Sequence, residues 1–248
     1  MYKKLTITLA MIATLLLASN VKAMPLIGDI APSFKADTTG GKIDFPADYK
    51  GKWVVLFSHP ADFTPVCTTE FMAFQKLEPN FNSLNTKLIG LSESNTKQHR
   101  EWIESIKGIN YNSCADTQIT FPIIDDENGN IAKKYGMLQN DTHNTKTVRS
   151  VFIIDPESKI RAIIYYPQST GRYMPEIQRL VIALQTSDAF GVSTPADWMP
   201  GDDVIVPTNK IPEGNPAELL EEMGITEHSP YLYTQKLDIN SIKEKLIK

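Results

Sequence analysis

Hydrophobic positions along this chain alternate between short solid runs and longer stretches with helical spacing. Lys52–Ser58 (KWVVLFS) is almost continuously apolar, the pattern of a strand covered on both faces. In Thr68–Leu77, Phe71, Phe74 and Leu77 recur at helical spacing, and Lys87–Ser92 reads as a second strand. Thr96 opens a helix that reaches about Lys107 and stops near Gly108. Phe121–Ile124 runs into a turn over Asp125–Asn130, and Ile131–Tyr135 follows as a short helix. Val148–Ile154 and Ile160–Tyr166 are expected strands joined by Asp155-Pro156-Glu157-Ser158, a hairpin turn, and Pro175–Gln185 is the next helix. Strands alternating with helices, then a late hairpin, predict an α/β sheet with helices on both faces. From Thr186 onward proline recurs at 195, 200, 207, 212, 216 and 230, which sets residues 186–248 apart as a looser C-terminal part.

The first 23 residues follow a different pattern. Lys3 and Lys4 precede an apolar run from Leu5 to Ala18, and Val21-Lys22-Ala23 places small residues at a cleavage spacing. This is the form of a secretory signal peptide cut after Ala23, and the run is too short for the roughly 20 residues of a spanning helix. An exported, oxidising location is therefore expected, with no stable membrane span. The whole chain has 25 basic and 29 acidic residues and a net charge of −4. Losing Lys3, Lys4 and Lys22 lowers the basic count from 25 to 22 against 29 acidic residues, leaving about −7, so no basic field invites nucleic acid. Two cysteines, Cys67 and Cys114, exclude a disulfide-dense scaffold and an all-cysteine zinc site.

The candidate chemistry is concentrated in His59–Glu70 (HPADFTPVCTTE). A buried strand feeds a proline-flanked loop, and Cys67 falls in the first turn of the next helix, where unpaired N–H groups and the positive helix end favour a thiolate. Pro65 suits the helix start. The Thr64 hydroxyl can reach back toward the sulfur or a bound oxygen, and Glu70 can orient neighbouring polar groups or complete a cap. His59 serves either the site or the packing of its loop. His99, His143 and His228 are scattered without metal-site spacing, and no phosphate-cradling glycine pattern occurs, so neither metal nor nucleotide cofactor is expected.

The run Pro60-x-x-x-Thr64-x-x-Cys67 resembles the active-site signature of the peroxiredoxins, and SHPADFTPVCTTE is similar to their 1-Cys group. Further resemblances lie at Phe121–Asp126, Thr147–Asp155, Tyr165–Arg172 and Thr194–Trp198, so the likeness spans about Leu26 to Val206. It implies a thioredoxin-like fold, a central mixed sheet flanked by helices over residues 24–185, with a smaller extension over 186–248. It also implies a peroxidase for hydrogen peroxide and organic hydroperoxides that uses an external thiol reductant and assembles as a homodimer or larger oligomer. Residue by residue, Cys67 matches the peroxidatic cysteine, Thr64 the hydroxyl at the thiolate and peroxide, Pro60 the shielding proline and Arg149 the arginine that favours the thiolate.

Where typical 2-Cys members carry a resolving cysteine, this chain has Thr194, and Cys114 resembles a non-catalytic cysteine of the 1-Cys group. An atypical resolving role for Cys114 would need disulfide geometry with Cys67. Lys52 stands where some relatives place a phospholipid-hydrolysing serine, so that second activity is not expected. A redox sensor or holdase chaperone on the same scaffold would also oxidise Cys67 but would not turn over. A thiol-disulfide oxidoreductase normally needs Cys-x-x-Cys, and Thr64 takes the first of those places.

Overall fold

The computed structural model describes residues 24–138, 146–214 and 217–247. The expected signal segment 1–23 and His143 lie outside the described residues. A mixed seven-stranded sheet carries the fold in the order β2-β1-β5-β4-β3-β6-β7. Its strands are β1 (Phe34–Thr38), β2 (Gly41–Phe45), β3 (Trp53–Ser58), β4 (Thr86–Ser92), β5 (Ile123–Asp125), β6 (Arg149–Ile154) and β7 (Ile160–Tyr166). β3 runs parallel to β4 and antiparallel to β6.

Every residue of β3 is buried, as its unbroken apolar run requires of a central strand. Alternation splits it between two cores. Trp53, Val55 and Phe57 face the core beneath α1 (Pro65–Ser83), α2 (Thr96–Lys107) and α4 (Met174–Phe190). Val54 and Leu56 face the opposite core, which holds Tyr135 of α3 (Asn130–Tyr135) with Phe34 and Phe45. Helices therefore cover both faces. The same alternation in β6 sends Val151 and Ile153 to the α1 side, and Arg149, two residues before Val151, shares that face. Gly90 of β4 makes room there, since a Cβ would meet the Phe71 ring at 3.2 Å and the Phe57 ring at 3.5 Å.

Three features depart from the sequence pattern. Helix α1 runs from Pro65 to Ser83, although Glu78-Pro79 reads as a stop. Pro79 lies on the exposed face of the helix, while buried Phe81 anchors the last turn in the core. A hairpin of β1 and β2 precedes the first expected strand, turning through Thr39-Gly40. Helix α4 continues through buried Thr186 to Phe190 and ends at Gly191 in left-handed backbone (φ 63°), so the expected division after Gln185 falls inside a helix.

The described residues of the C-terminal part include regular elements of their own. β8 (Asp203–Ile205), β9 (Ile225–Ser229) and β10 (Leu232–Lys236) form a second sheet in the order β8-β10-β9. It shares a small core of Val206, Leu220, Ile225 and Tyr233 with α5 (Ala217–Glu222), and α6 (Ile239–Leu246) packs back on the main body. No helix among the described residues is long and apolar enough to cross a membrane.

Candidate active site

Strand β3 ends at Ser58, and the loop His59–Thr64 carries the chain to the start of α1. Phe63 in that loop holds a left-handed backbone (φ 55°), which costs a bulky residue on the order of 1 kcal/mol. Thr64 returns to extended backbone as the N-cap, and Pro65 begins the helix without a donor to waste. Cys67 thus occupies the third helical position, and its side chain is fully buried.

One guanidinium reaches the sulfur. Arg149 Nη1 donates to Cys67 Sγ at 3.2 Å and to Glu70 Oε2 at 2.8 Å. Its Nε and Nη2 donate to the Gln168 carbonyl at 3.0 and 2.7 Å, which fixes the fork. Glu70 lies one helical turn beyond Cys67 and does not cap the helix. It accepts from a second arginine, with Arg172 Nε on Oε1 at 2.9 Å, Nη2 on Oε2 at 2.7 Å and the Arg172 backbone N–H on Oε1 at 2.8 Å. Arg172 Nη1 then donates to the Ser58 and Ser150 carbonyls, each at 3.0 Å, and its guanidinium lies over the Phe57 and Phe74 rings.

Cys67, Glu70, Arg149 and Arg172 are all buried. Burial pushes the Glu70 carboxyl up, but the charge and hydrogen bonds of Arg172, followed by the charge of Arg149, outweigh it and hold the group below its ordinary range. Two cations and one carboxylate leave a single positive charge against the sulfur, which an anionic sulfur neutralises.

The Thr64 hydroxyl donates to the Ala61 carbonyl at 2.9 Å and not to Cys67. Its oxygen lone pairs remain beside the helix start. Pro60 is buried at the head of the loop. His59 packs: its ring lies 5.0 Å from Trp102 and 4.7 Å from Phe71, and Nε2 is 2.8 Å from Asp62 Oδ1. Burial, above all, lowers its proton affinity despite Asp62.

His99, which looks isolated in sequence, joins this group, its Nδ1 lying 2.8 Å from Asp62 Oδ2. Burial would raise the Asp62 carboxyl, but hydrogen bonds from His59 and His99, and their charges, hold it down at about 2. The facing atoms of the two rings and the carboxylate lie within 4.8 Å of one another and are spent on each other. His228 sits on the exposed hairpin beside Thr234. Cys114 is a free, partly buried thiol in a tight turn with Tyr111, at the margin of the core that holds Cys67.

Sequence reasoning assigned no role to Arg172, Asp62 or His99. Arg172 ends the family-like segment Tyr165–Arg172, and His99 and Trp102 fall on one face of α2 at i, i+3 spacing. Those were the available signals.

Known proteins resemble this chain along most of its length. The AhpC/TSA family model matches residues 27–163, and the C-terminal domain of 1-Cys peroxiredoxin matches residues 183–219. A peroxiredoxin of Methanosarcina mazei is 56% identical over 205 residues, 82% of this chain and 92% of that protein. One of Aquifex aeolicus is 52% identical over 181 residues, 73% and 79% of the two chains. The solved yeast mitochondrial 1-Cys peroxiredoxin superposes with a TM-score of 0.76 at 45% identity, covering 86% of this chain and all 100% of its own. A serine mutant of peroxiredoxin 6 from Arenicola marina gives 0.74 at 38% identity, covering 86% and 98%. A buried cysteine at a helix start, facing arginine on a thioredoxin-like sheet, defines a thiol peroxidase. The chain belongs to the AhpC/TSA family of peroxiredoxins and is a thiol-dependent peroxidase.

Glu70→Gln keeps the shape but leaves two buried guanidiniums without their carboxylate, and should cost about 3–5 kcal/mol. Because folding depresses the Glu70 carboxyl, its contribution is present above the ordinary Glu range and is lost as pH falls through the folded value. Denaturant melts from neutral to acid pH should show the wild type losing this contribution and the variant lacking it from the start. Equal stability at neutral pH would contradict the arrangement.

Proposed function

We propose that Cys67 alone cycles, reducing hydrogen peroxide and alkyl hydroperoxides, with Arg149, Thr64 and Pro60 completing the site and Glu70 and His59 supporting it. The observation that carries this reading is the 3.2 Å contact from Arg149 Nη1 to the buried Cys67 sulfur. The thiolate attacks one peroxide oxygen. The O–O bond breaks, an S–O bond forms, and the departing alkoxide or hydroxide takes a proton to leave as alcohol or water. The guanidinium stabilises charge moving from sulfur to oxygen, and the Thr64 oxygen is placed to accept a hydrogen bond from the hydroperoxide O–H. Pro60 and the buried surroundings exclude water.

An external thiol then displaces the hydroxyl of the sulfenic acid as water, forming a mixed disulfide that a second thiol reduces. No bound cofactor takes part, since the electrons arrive on thiols. With Cys67 fully buried, the first turn of α1 must open to admit a thiol. The yeast relative is described as resolved through glutathione and thioredoxin systems, and a comparable low-molecular-weight thiol or thiol reductase suits this chain. Assembly as a homodimer or larger oligomer fits the family, and β7, the last strand of the sheet, carries exposed Tyr165 beyond the stretch that Gly28 and Asp29 cover.

Cys67→Ser should abolish peroxide consumption, while Cys114→Ser should retain most of it. Mass spectrometry should find sulfenic or higher oxides on Cys67. A stoichiometric Cys67–Cys114 disulfide would overturn the single-cysteine cycle.

We also propose export, carried by the leader-like pattern of residues 1–23. Terminal sequencing of protein from fractionated cells should find Met24 first, outside the cytoplasm. A cytoplasmic protein that retains Met1 would refute export and leave the peroxidase chemistry untouched.

A further inference from the structure

The hydrogen bonds of His99 account for both ring nitrogens. Nε2 is 3.0 Å from the Ile124 carbonyl, which can only accept, so that nitrogen carries a proton. Nδ1 is 2.8 Å from Asp62 Oδ2, and Asp62 is an ionised acceptor. Both ring nitrogens of His99 are therefore engaged, one with the loop and one with the sheet. His59 completes the group by donating Nε2–H to Asp62 Oδ1, at 2.8 Å. All three side chains are fully buried.

One turn further along the same face of α2, Trp102 stacks on His59 and donates Nε1–H to the Thr68 hydroxyl at 3.2 Å. Residue 68 adjoins Cys67. Helix α2 thus grips the catalytic segment at two points, the loop through Asp62 and the first turn of α1 through Thr68. Ile124 lies in β5, so His99 fastens the loop to the sheet as well.

We propose that His99, acting through Asp62, is a positioning residue that sets how readily the Cys67 turn opens, and so divides the enzyme's time between the peroxide step and the thiol step. This rests on the single-cysteine cycle above. The peroxide step needs Cys67 closed against Arg149. The reducing step needs the same turn open, because the sulfur is fully buried when closed. A clasp that holds only the closed state speeds the first step and slows the second. Loss of the clasp therefore moves the two half-reactions in opposite directions, which general damage to the fold does not do.

The test compares full-length His99→Leu with the wild type. His99→Asn serves as the conservative variant, since its amide can still donate to Asp62. Stopped-flow oxidation by hydrogen peroxide should slow by between about tenfold and a hundredfold in His99→Leu. Reduction of the sulfenic form by dithiothreitol should speed up, and amides 61–68 should exchange faster. His99→Asn should recover most of the peroxide rate. Both half-reactions slowing together, or amide exchange at 61–68 staying at the wild-type rate, would overturn the clasp. Exchange is read without peroxide, so a wild type that proved inert to peroxide would refute the peroxidase cycle and leave the clasp to be judged on exchange. If His99→Leu does not fold, Asp62→Asn takes its place with the same expected and overturning results.

Discussion

Glu70, held between Arg149 and Arg172, is the constraint on which the rest depends. A carboxylate and two guanidiniums can be buried together only if nearly every donor finds an acceptor. Meeting that condition involves four parts of the chain. Helix α1 supplies Glu70, β6 supplies Arg149, the segment after β7 supplies Arg172 and the Gln168 carbonyl, and Ser58 and Ser150 lend carbonyls beside Arg172. With these in place α1 is held against the sheet, and its first turn carries Cys67 to Arg149 Nη1. The surplus positive charge beneath the sulfur follows from the same count.

The site also contains opposed demands. Exclusion of water strengthens the Arg149–sulfur contact, yet the buried sulfur must later meet a thiol. The left-handed backbone at Phe63 and the α2 grip act on the same short segment, one storing strain and the other restraining it. Local opening of a single turn is the motion such a segment allows, because β3 before it is buried throughout and the body of α1 is anchored in the core by Phe71, Phe74 and Phe81.

Much of the sheet was legible because β3, β4 and β6 are buried strands with long β-branched and aromatic runs. The β1–β2 hairpin was not, although FKADT and GKIDF alternate around Thr39-Gly40, because its strands are half exposed and carry lysine and aspartate on the outer face. The last turns of α1 were hidden by Pro79, a breaker that exposure makes tolerable. In the site, Cys67 could be read from local order alone, strand, loop and helix start in succession. Arg149 could not, since an arginine among valines in a strand reads more readily as a surface salt-bridge residue, and only the family resemblance singled it out. Glu70 read as orienting neighbouring polar groups or completing a cap, and its partner Arg172 could not be named because it is 102 residues away. Asp62 and His99 meet across 37 residues through the pairing of β3 with β4, a register that no local pattern encodes.

The contact between Arg149 and Cys67 is the central claim, and the rate at which hydrogen peroxide oxidises Cys67 in Arg149→Lys tests it most directly. Lysine keeps the charge but not the planar fork that holds sulfur, Glu70 and the Gln168 carbonyl together. The expected result is a folded protein whose oxidation rate falls by about a hundredfold. A folded Arg149→Lys protein that reacts at the wild-type rate would contradict the claim and remove Arg149 from the chemistry.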